Sequence, residues 1–306
     1  MSLVPDEPLP PQGTLGFRVQ LYGMEQWGDL FAPRQALALT TLVRLVHEVG
    51  ENLADEHENG MATAVQTCLA FIVDKAVQYN SSLCRWKPLG ENLVDTFGRQ
   101  ALPMVWDFSE SNILGGASGD FGALLHWVIK MIEMTSTPIG NRGGTVEQSS
   151  ATAHLLPDAA AQCFFTDPPY YDAVPYADLS DFFIVWLKRT IGNHYTDLFS
   201  TGLAPKDNEC IVDEIKGKDK AYFEATMGQA MSKGRRILAP DGIGVVFLCL
   251  QVHCRMGSAT SGDDRCGLDC YWFLAYRHRD GIAPACHELR RPRLIHPSRL
   301  PPSPEP

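Results

Sequence analysis

The apolar run Cys163-Phe164-Phe165-Thr166 leads straight into Asp167-Pro168-Pro169-Tyr170, and no other junction in the chain limits the fold as strongly. The run reads as a buried β-strand. Two successive prolines end it, because proline has no N–H to offer a sheet ladder and its ring locks φ. The same prolines stiffen the loop and leave backbone carbonyls free as acceptors. Asp167 adds another acceptor and Tyr170 a flat face. A strand end built this way suits a planar base with an exocyclic amine: carbonyl and carboxylate accept from the NH2 group while the ring stacks. The plain alternative is a Pro-rich turn; the position directly after an apolar strand favours the functional reading. Tyr171, Asp172 and Tyr176 extend the loop as candidate substrate contacts, with ordinary surface-loop residues as the other reading.

Strands and helices alternate around this point, which predicts an α/β fold with a parallel sheet. Pro33 opens a helix to about Val49, stopped by Gly50, with Leu37, Leu42, Leu45, Val46 and Val49 at helical spacing. The acidic stretch 51–59 reads as a solvated loop. A second helix covers Gly60 to Tyr79, with Val65, Leu69, Ile72 and Ala76 inward. Pro103 to Asp107 reads as a short strand, Phe121 to Met134 as an amphipathic helix and Val146 to Gln148 as a strand. Leu179 to Ile191 and Lys218 to Leu238 are further helices, the second ended by Pro240-Asp241-Gly242. Ile243 to Leu250 is the best strand in the chain. Residues 1–11 are Pro-rich and expected to be disordered, 12–250 form the folded domain, and 251–306 form an irregular, disordered tail rich in Arg, Cys, His and Pro.

Composition bounds the rest. With 306 residues, 45% of them hydrophobic, the chain has enough apolar surface for a substantial core. Nine cysteines lie without disulfide-type spacing, no signal peptide is evident, and no apolar run approaches a membrane span, so a cytoplasmic setting is expected. A net charge of −10 argues against strong nucleic-acid binding by this chain alone, since phosphate contacts supply most of that affinity.

Other candidate sites are weaker. Gly115, Gly116, Gly119 and Gly122 do not follow a strand as a nucleotide loop requires, and read as a helix N-terminus. His253, Cys254, Cys266 and Cys270 lack the paired short loops of a zinc site, so no metal is expected. Arg290, Arg291 and Arg293 read as a solvated tail, and Cys163 as a small apolar core residue.

Thr166-Asp167-Pro168-Pro169-Tyr170 resembles the catalytic motif of the S-adenosylmethionine-dependent amino-methyltransferases, which modify adenine N6 or cytosine N4 in DNA. The longer run through Tyr171-Asp172, Pro175-Tyr176-Ala177-Asp178-Leu179-Ser180-Asp181-Phe182-Phe183 and Val185-Trp186-Leu187 is more specific. It resembles large multi-domain bacterial and archaeal proteins identified as adenine-specific DNA methylases, some with a zinc-ribbon insert. Leu15 to Gln20, Trp27 to Phe31, Pro33 to Gln35, Asn80 to Trp86 and Phe97 to Pro103 extend the resemblance, which spans roughly residues 12 to 248. It implies a Rossmann-like methyltransferase fold and a base flipped out of its stack. It also implies that Asp167 and the Pro168 carbonyl accept from the target amine, that Tyr170 stacks, and that Pro169 stiffens the loop. Phe31, Pro33 and Arg34 resemble the segment beside the methionine end of the cofactor.

Two departures qualify this picture. The family's Phe-x-Gly-x-Gly cofactor loop is absent from the sequence, and with it the close backbone approach that glycines permit. After Phe247-Leu248 the closing helix and strands give way to the irregular tail, as in a truncated or frame-shifted copy. The expectation is therefore a partial Rossmann-like domain, the C-terminal catalytic half of a DNA amino-methyltransferase, weak or inactive alone. It would be completed by a separately encoded cofactor-binding partner, or be a non-catalytic remnant that binds protein or nucleic acid.

Overall fold

The computed structural model describes residues 2–54, 60–117, 119–136, 144–171, 174–249 and 271–277. The chain divides into two compact units, Met1–Val146 with Tyr171–Lys218, and Glu147–Tyr170 with Asp219–Pro306. Helices and strands are mixed, and the second unit holds a parallel strand pair, so the fold is α/β in this broad sense.

The first unit is built on α1 (Pro33–Ala54), α2 (Met61–Tyr79), the short hairpin of β1 (Arg85–Lys87) and β2 (Asn92–Val94), α3 (Phe121–Thr135) and α4 (Tyr176–Ile191). Pro33 begins α1 as expected, and the Gln35 side chain accepts from the Ala32 N–H at 2.9 Å. The helix does not stop at Gly50. Gly50 is an interior residue, where a Cβ would stand 2.3 Å from the Gln66 side chain. The glycine serves the α1–α2 crossing and not a C-cap, so 51–54 are helical and not loop; 55–59 lie outside the described residues. The buried face of α1 carries Leu39, Val43 and Val46, while Leu37, Leu45 and Val49 are exposed. That face follows the close approach at Gly50, one step round from the stripe the periodicity suggested.

On α2, Ile72 and Ala76 are buried and Val65 and Leu69 half-buried. α4 crosses α1 and α2 and supplies the aromatic centre. Phe182 lies edge-on to Trp27 and Phe97 and stacks on Phe31 at 5.9 Å, and Trp186 meets Phe31 edge-on at 5.2 Å. Burial of these large rings is the main apolar contribution to this unit.

The Pro-rich start is not disordered. Leu9 is buried, its N–H donates to the Glu25 carbonyl at 2.8 Å, and Trp27 donates back to the Glu7 carbonyl at 3.0 Å. The decisive anchor is Arg189 of α4. Its guanidinium donates to the carbonyls of Ser2, Val4 and Val185 and to the carboxylates of Asp6 and Glu7. Low periodicity hid an arm held by backbone acceptors and one distant arginine.

Two expected strands are absent. Residues 103–107 are irregular after an isolated Leu102–Phe17 bridge, and 146–148 have no regular structure, with Val146 exposed. Neither run finds a partner strand, and a strand without a ladder has nothing to satisfy its backbone.

The second unit carries β3 (Ala161–Thr166), α5 (Lys220–Ile237), β4 (Leu238–Cys249) and β5 (Tyr271–Arg277) in the order β3-β4-β5. β3 and β4 are parallel, while β5 is antiparallel to β4. β3 ends where expected but is not buried: Phe165 is 63% exposed and Cys163 is exposed, not a core residue. The strand lies at the sheet edge, so one side lacks a covering neighbour among the described residues. α5 packs on the sheet through Gly234, where a Cβ would come 2.5 Å from the Phe164 ring.

β4 starts at Leu238, earlier than the sequence suggests. Ala161 pairs with Leu238 and Cys163 with Ile243, so Pro240-Asp241-Gly242 sit in a bulge instead of ending a helix by a turn. A proline and a glycine are tolerated in a strand where the ladder is broken. β5 corrects the expected tail, since 271–277 form a strand; 250–270 and 278–306 lie outside the described residues. Among the described residues no helix is long and apolar enough to cross a membrane.

Candidate functional site

The tetrapeptide leaves the carboxyl end of β3, beside the parallel strand β4. Open α/β sheets present their ligand loops at the carboxyl ends of parallel strands. Pro168 is buried and Asp167 exposed. The Tyr170 hydroxyl donates to Asp167 Oδ1 at 2.8 Å, a bond that spans the two prolines and closes the loop on itself. Acid and ring are thereby preset relative to each other. A carboxylate accepts several donors, so Asp167 keeps capacity for an incoming amine.

Tyr171 and Tyr176 belong to the other unit and are each about half exposed. The Tyr171 carbonyl accepts from the Val212 N–H at 3.0 Å, and Tyr176 begins α4. Asp172 lies outside the described residues. Of the residues expected beside the cofactor, Phe31 is buried in the core against Phe182 and Trp186. Pro33 is the first residue of α1, and Arg34 forms a surface ion pair with Glu110 at 2.9 Å.

The glycine-rich stretch resolves as a helix cap. Asp120 accepts from the Ala123 N–H at 2.7 Å and from the Gly116 N–H at 2.9 Å. The aspartate already supplies the negative charge that a helix N-terminus favours. Among the described residues no cluster of three or more His, Cys, Asp or Glu side chains is placed to hold a metal ion. His253, Cys254, Cys266, Cys270, Arg290, Arg291 and Arg293 lie outside the described residues.

Sequence reasoning missed a buried charge cluster on α4. Asp178 and Asp181 are both essentially inaccessible. Lys216 pairs with Asp178 and, at 3.2 Å, with Asp213. Lys206 pairs with Asp181 at 2.6 Å, and Asp181 also accepts from the Ala204 N–H. Glu209 accepts from the Ala177 N–H in the first turn of α4. Lys218 donates to the carbonyls of Lys206 and Glu209. Burial pushes the Asp181 carboxyl above its usual range, against the opposing pull of Lys206 and Ala204. Burial likewise raises Glu209 and lowers Lys218. For Lys216 burial acts downward, but the Asp178 and Asp213 carboxylates outweigh it and hold the ammonium above its usual value. The signal was present: two acids three residues apart on a helix whose neighbours Leu179, Phe182 and Val185 are all core residues.

Comparison of the chain with family models, with curated proteins and with solved structures finds no match.

Proposed function

We propose that this chain is the base-binding part of a methyltransferase-like protein, directed at the exocyclic amine of a DNA base, adenine N6 first. In this reading its α/β fold is a partial Rossmann-like methyltransferase fold. The observation that carries it is the closed Asp167–Tyr170 loop at the carboxyl end of a parallel strand. Tyr170 would stack on the flipped base, and Asp167 with the Pro168 carbonyl would accept from its NH2 group. That arrangement holds the nitrogen in place and turns its lone pair away from the acceptors. Positioning of this kind supplies the larger part of a displacement reaction's acceleration.

Among the described residues, those expected beside the cofactor do not fit S-adenosylmethionine. Phe31 is committed to the core and Arg34 to Glu110, and the glycine loop is lacking. In this reading a separately supplied partner would hold the cofactor. The same observation favours a second reading, a non-catalytic chain that retains only the base-binding loop.

Calorimetric titration tests the base-binding loop that both readings share. The folded chain is expected to bind adenosine, to lose that binding in Asp167→Ala, and to show no saturable binding of S-adenosylmethionine or S-adenosylhomocysteine. Adenosine binding that is absent, or unchanged in Asp167→Ala, overturns the base-binding reading. Robust DNA methylation by the chain alone overturns the division of labour.

A further inference from the structure

The buried charge cluster is arranged for a purpose that packing does not require. Residues 204–218 run as a strap along α4, and polar contacts join the two at several points. Ala204 and Lys206 reach Asp181, Glu209 reaches the Ala177 N–H, and Lys216 reaches Asp178. The strap is braced internally as well. Lys218 donates to the carbonyls of Lys206 and Glu209, and the backbones of Asp213 and Lys218 exchange hydrogen bonds at 2.8 and 2.9 Å. From the middle of this braced segment the Val212 N–H reaches the Tyr171 carbonyl at 3.0 Å. Tyr171 is the residue immediately after Asp167-Pro168-Pro169-Tyr170.

Apolar side chains in place of these pairs would hold a strap on a helix at least as strongly, because buried ion pairs repay little more than their desolvation. Apolar packing tolerates sliding, whereas a charged hydrogen bond fixes distance and direction. Asp178 and Asp181 stand three residues apart and so face the same way, and each takes its lysine from a different part of the strap. Between those two lysines lies Val212. The cost is visible: Asp178 Oδ1 and Glu209 Oε2 are buried without a hydrogen-bond partner.

We propose that Asp178 and Asp181, acting through Lys216 and Lys206, are positioning residues that fasten the strap and so pin Tyr171, fixing where the chain leaves the tetrapeptide. This rests on the reading of that tetrapeptide as a base-binding loop. A held Tyr171 carbonyl leaves the residue next to the tetrapeptide fewer conformations to lose when a ligand binds.

The test uses the full chain and its Asp178→Asn, Lys216→Met, Lys216→Arg and Asp167→Ala variants, with amide hydrogen exchange and adenosine titration as readouts. Asp178→Asn and Lys216→Met should speed exchange at the Val212 amide at least tenfold while the Ile72 and Val73 amides of α2 keep their protection. Both should weaken adenosine binding at least threefold, and Lys216→Arg, which keeps the charge, should restore most of it. Unchanged Val212 exchange overturns the proposal. So does exchange that rises equally in α2, which would make the pair a general element of stability. Adenosine binding that Asp167→Ala abolishes and Asp178→Asn leaves intact overturns the positioning role alone. Wild-type chain that ignores adenosine overturns the base-binding reading, and this inference with it.

Discussion

Replacing Arg189 by methionine should strongly destabilise the first unit. The side chain is 1% exposed, and its guanidinium meets five acceptors: the carbonyls of Ser2, Val4 and Val185, and the carboxylates of Asp6 and Glu7. Methionine keeps much of the volume and removes every donor. Among the described residues Glu7, 14% exposed, then keeps Lys188 at 3.7 Å as its ion-pair partner. Removing one partner of a buried pair costs about 3–5 kcal/mol, because the other charge stays buried and uncompensated. Asp6 is 62% exposed and adds little, since solvent screens it. For a cooperative unit of this size a loss of that order lowers Tm by roughly 6–20 °C. Urea unfolding followed by tryptophan fluorescence suits the measurement, because Trp27 and Trp186 are both buried in this unit. Limited proteolysis should also show new cleavage within residues 2–11. Asp6→Asn is the internal control, expected to cost less than about 1 kcal/mol. If Arg189→Met costs less than about 1 kcal/mol and the arm stays protected, the arm is held by something other than the arginine, and the reasoning fails.

Three further outcomes are expected. Gly234→Ala should destabilise the second unit by about 1–3 kcal/mol despite alanine's better helix propensity, because the new methyl meets the Phe164 ring at 2.5 Å; Phe164→Leu in the same chain should recover part of the loss, and strict additivity in a double-mutant cycle would count against the contact. Asp74, in α2, is buried with Oδ1 unpartnered, and burial holds its carboxyl well above the usual 3.8. The folded state then binds the proton more tightly than the unfolded one, so this group lowers stability as pH rises from about 4 toward its raised folded value. Asp74→Leu should thus stabilise the chain near neutral pH and much less near pH 4, and an equal effect at both pH values would refute the burial account. Finally, the chain alone should transfer little or no methyl to DNA from labelled S-adenosylmethionine, and turnover that Asp167→Ala abolishes would show that the cofactor site survives in a form Phe31 and Arg34 do not suggest.

How far the sequence could be read followed the range of the interactions. The four longer helices after α1 were legible because their cues are local, above all the periodic apolar residues of α2, α3 and α4; Asp219, which caps α5 by accepting from the Tyr222 N–H, is a local signal the sequence reading did not use. The helical span of α1 was half legible. Gly50 looked like a stop because glycine is a strong local terminator, but its lack of a side chain is used by Gln66, sixteen residues on, and nothing local announces that. The arm at the start failed for the same reason at longer range, since Arg189 lies more than 180 residues from Ser2. β5 failed because it earns its ladder only from β4, across a stretch without periodicity. At the site the contrast is sharper. Asp167 and Tyr170 are three residues apart, and the bond between them, which the sequence reading did not foresee, spans two rigid prolines. The Asp178 and Asp181 pairs depend on lysines 38 and 25 residues away in a loop of mixed charge. The proposed chemistry of the loop thus rests on four adjacent residues, while the pairs that would brace it lie elsewhere in the chain. Each acid on an apolar helix face is the readable half of such a brace, and asking where its cation comes from is the step that turns a motif into a site.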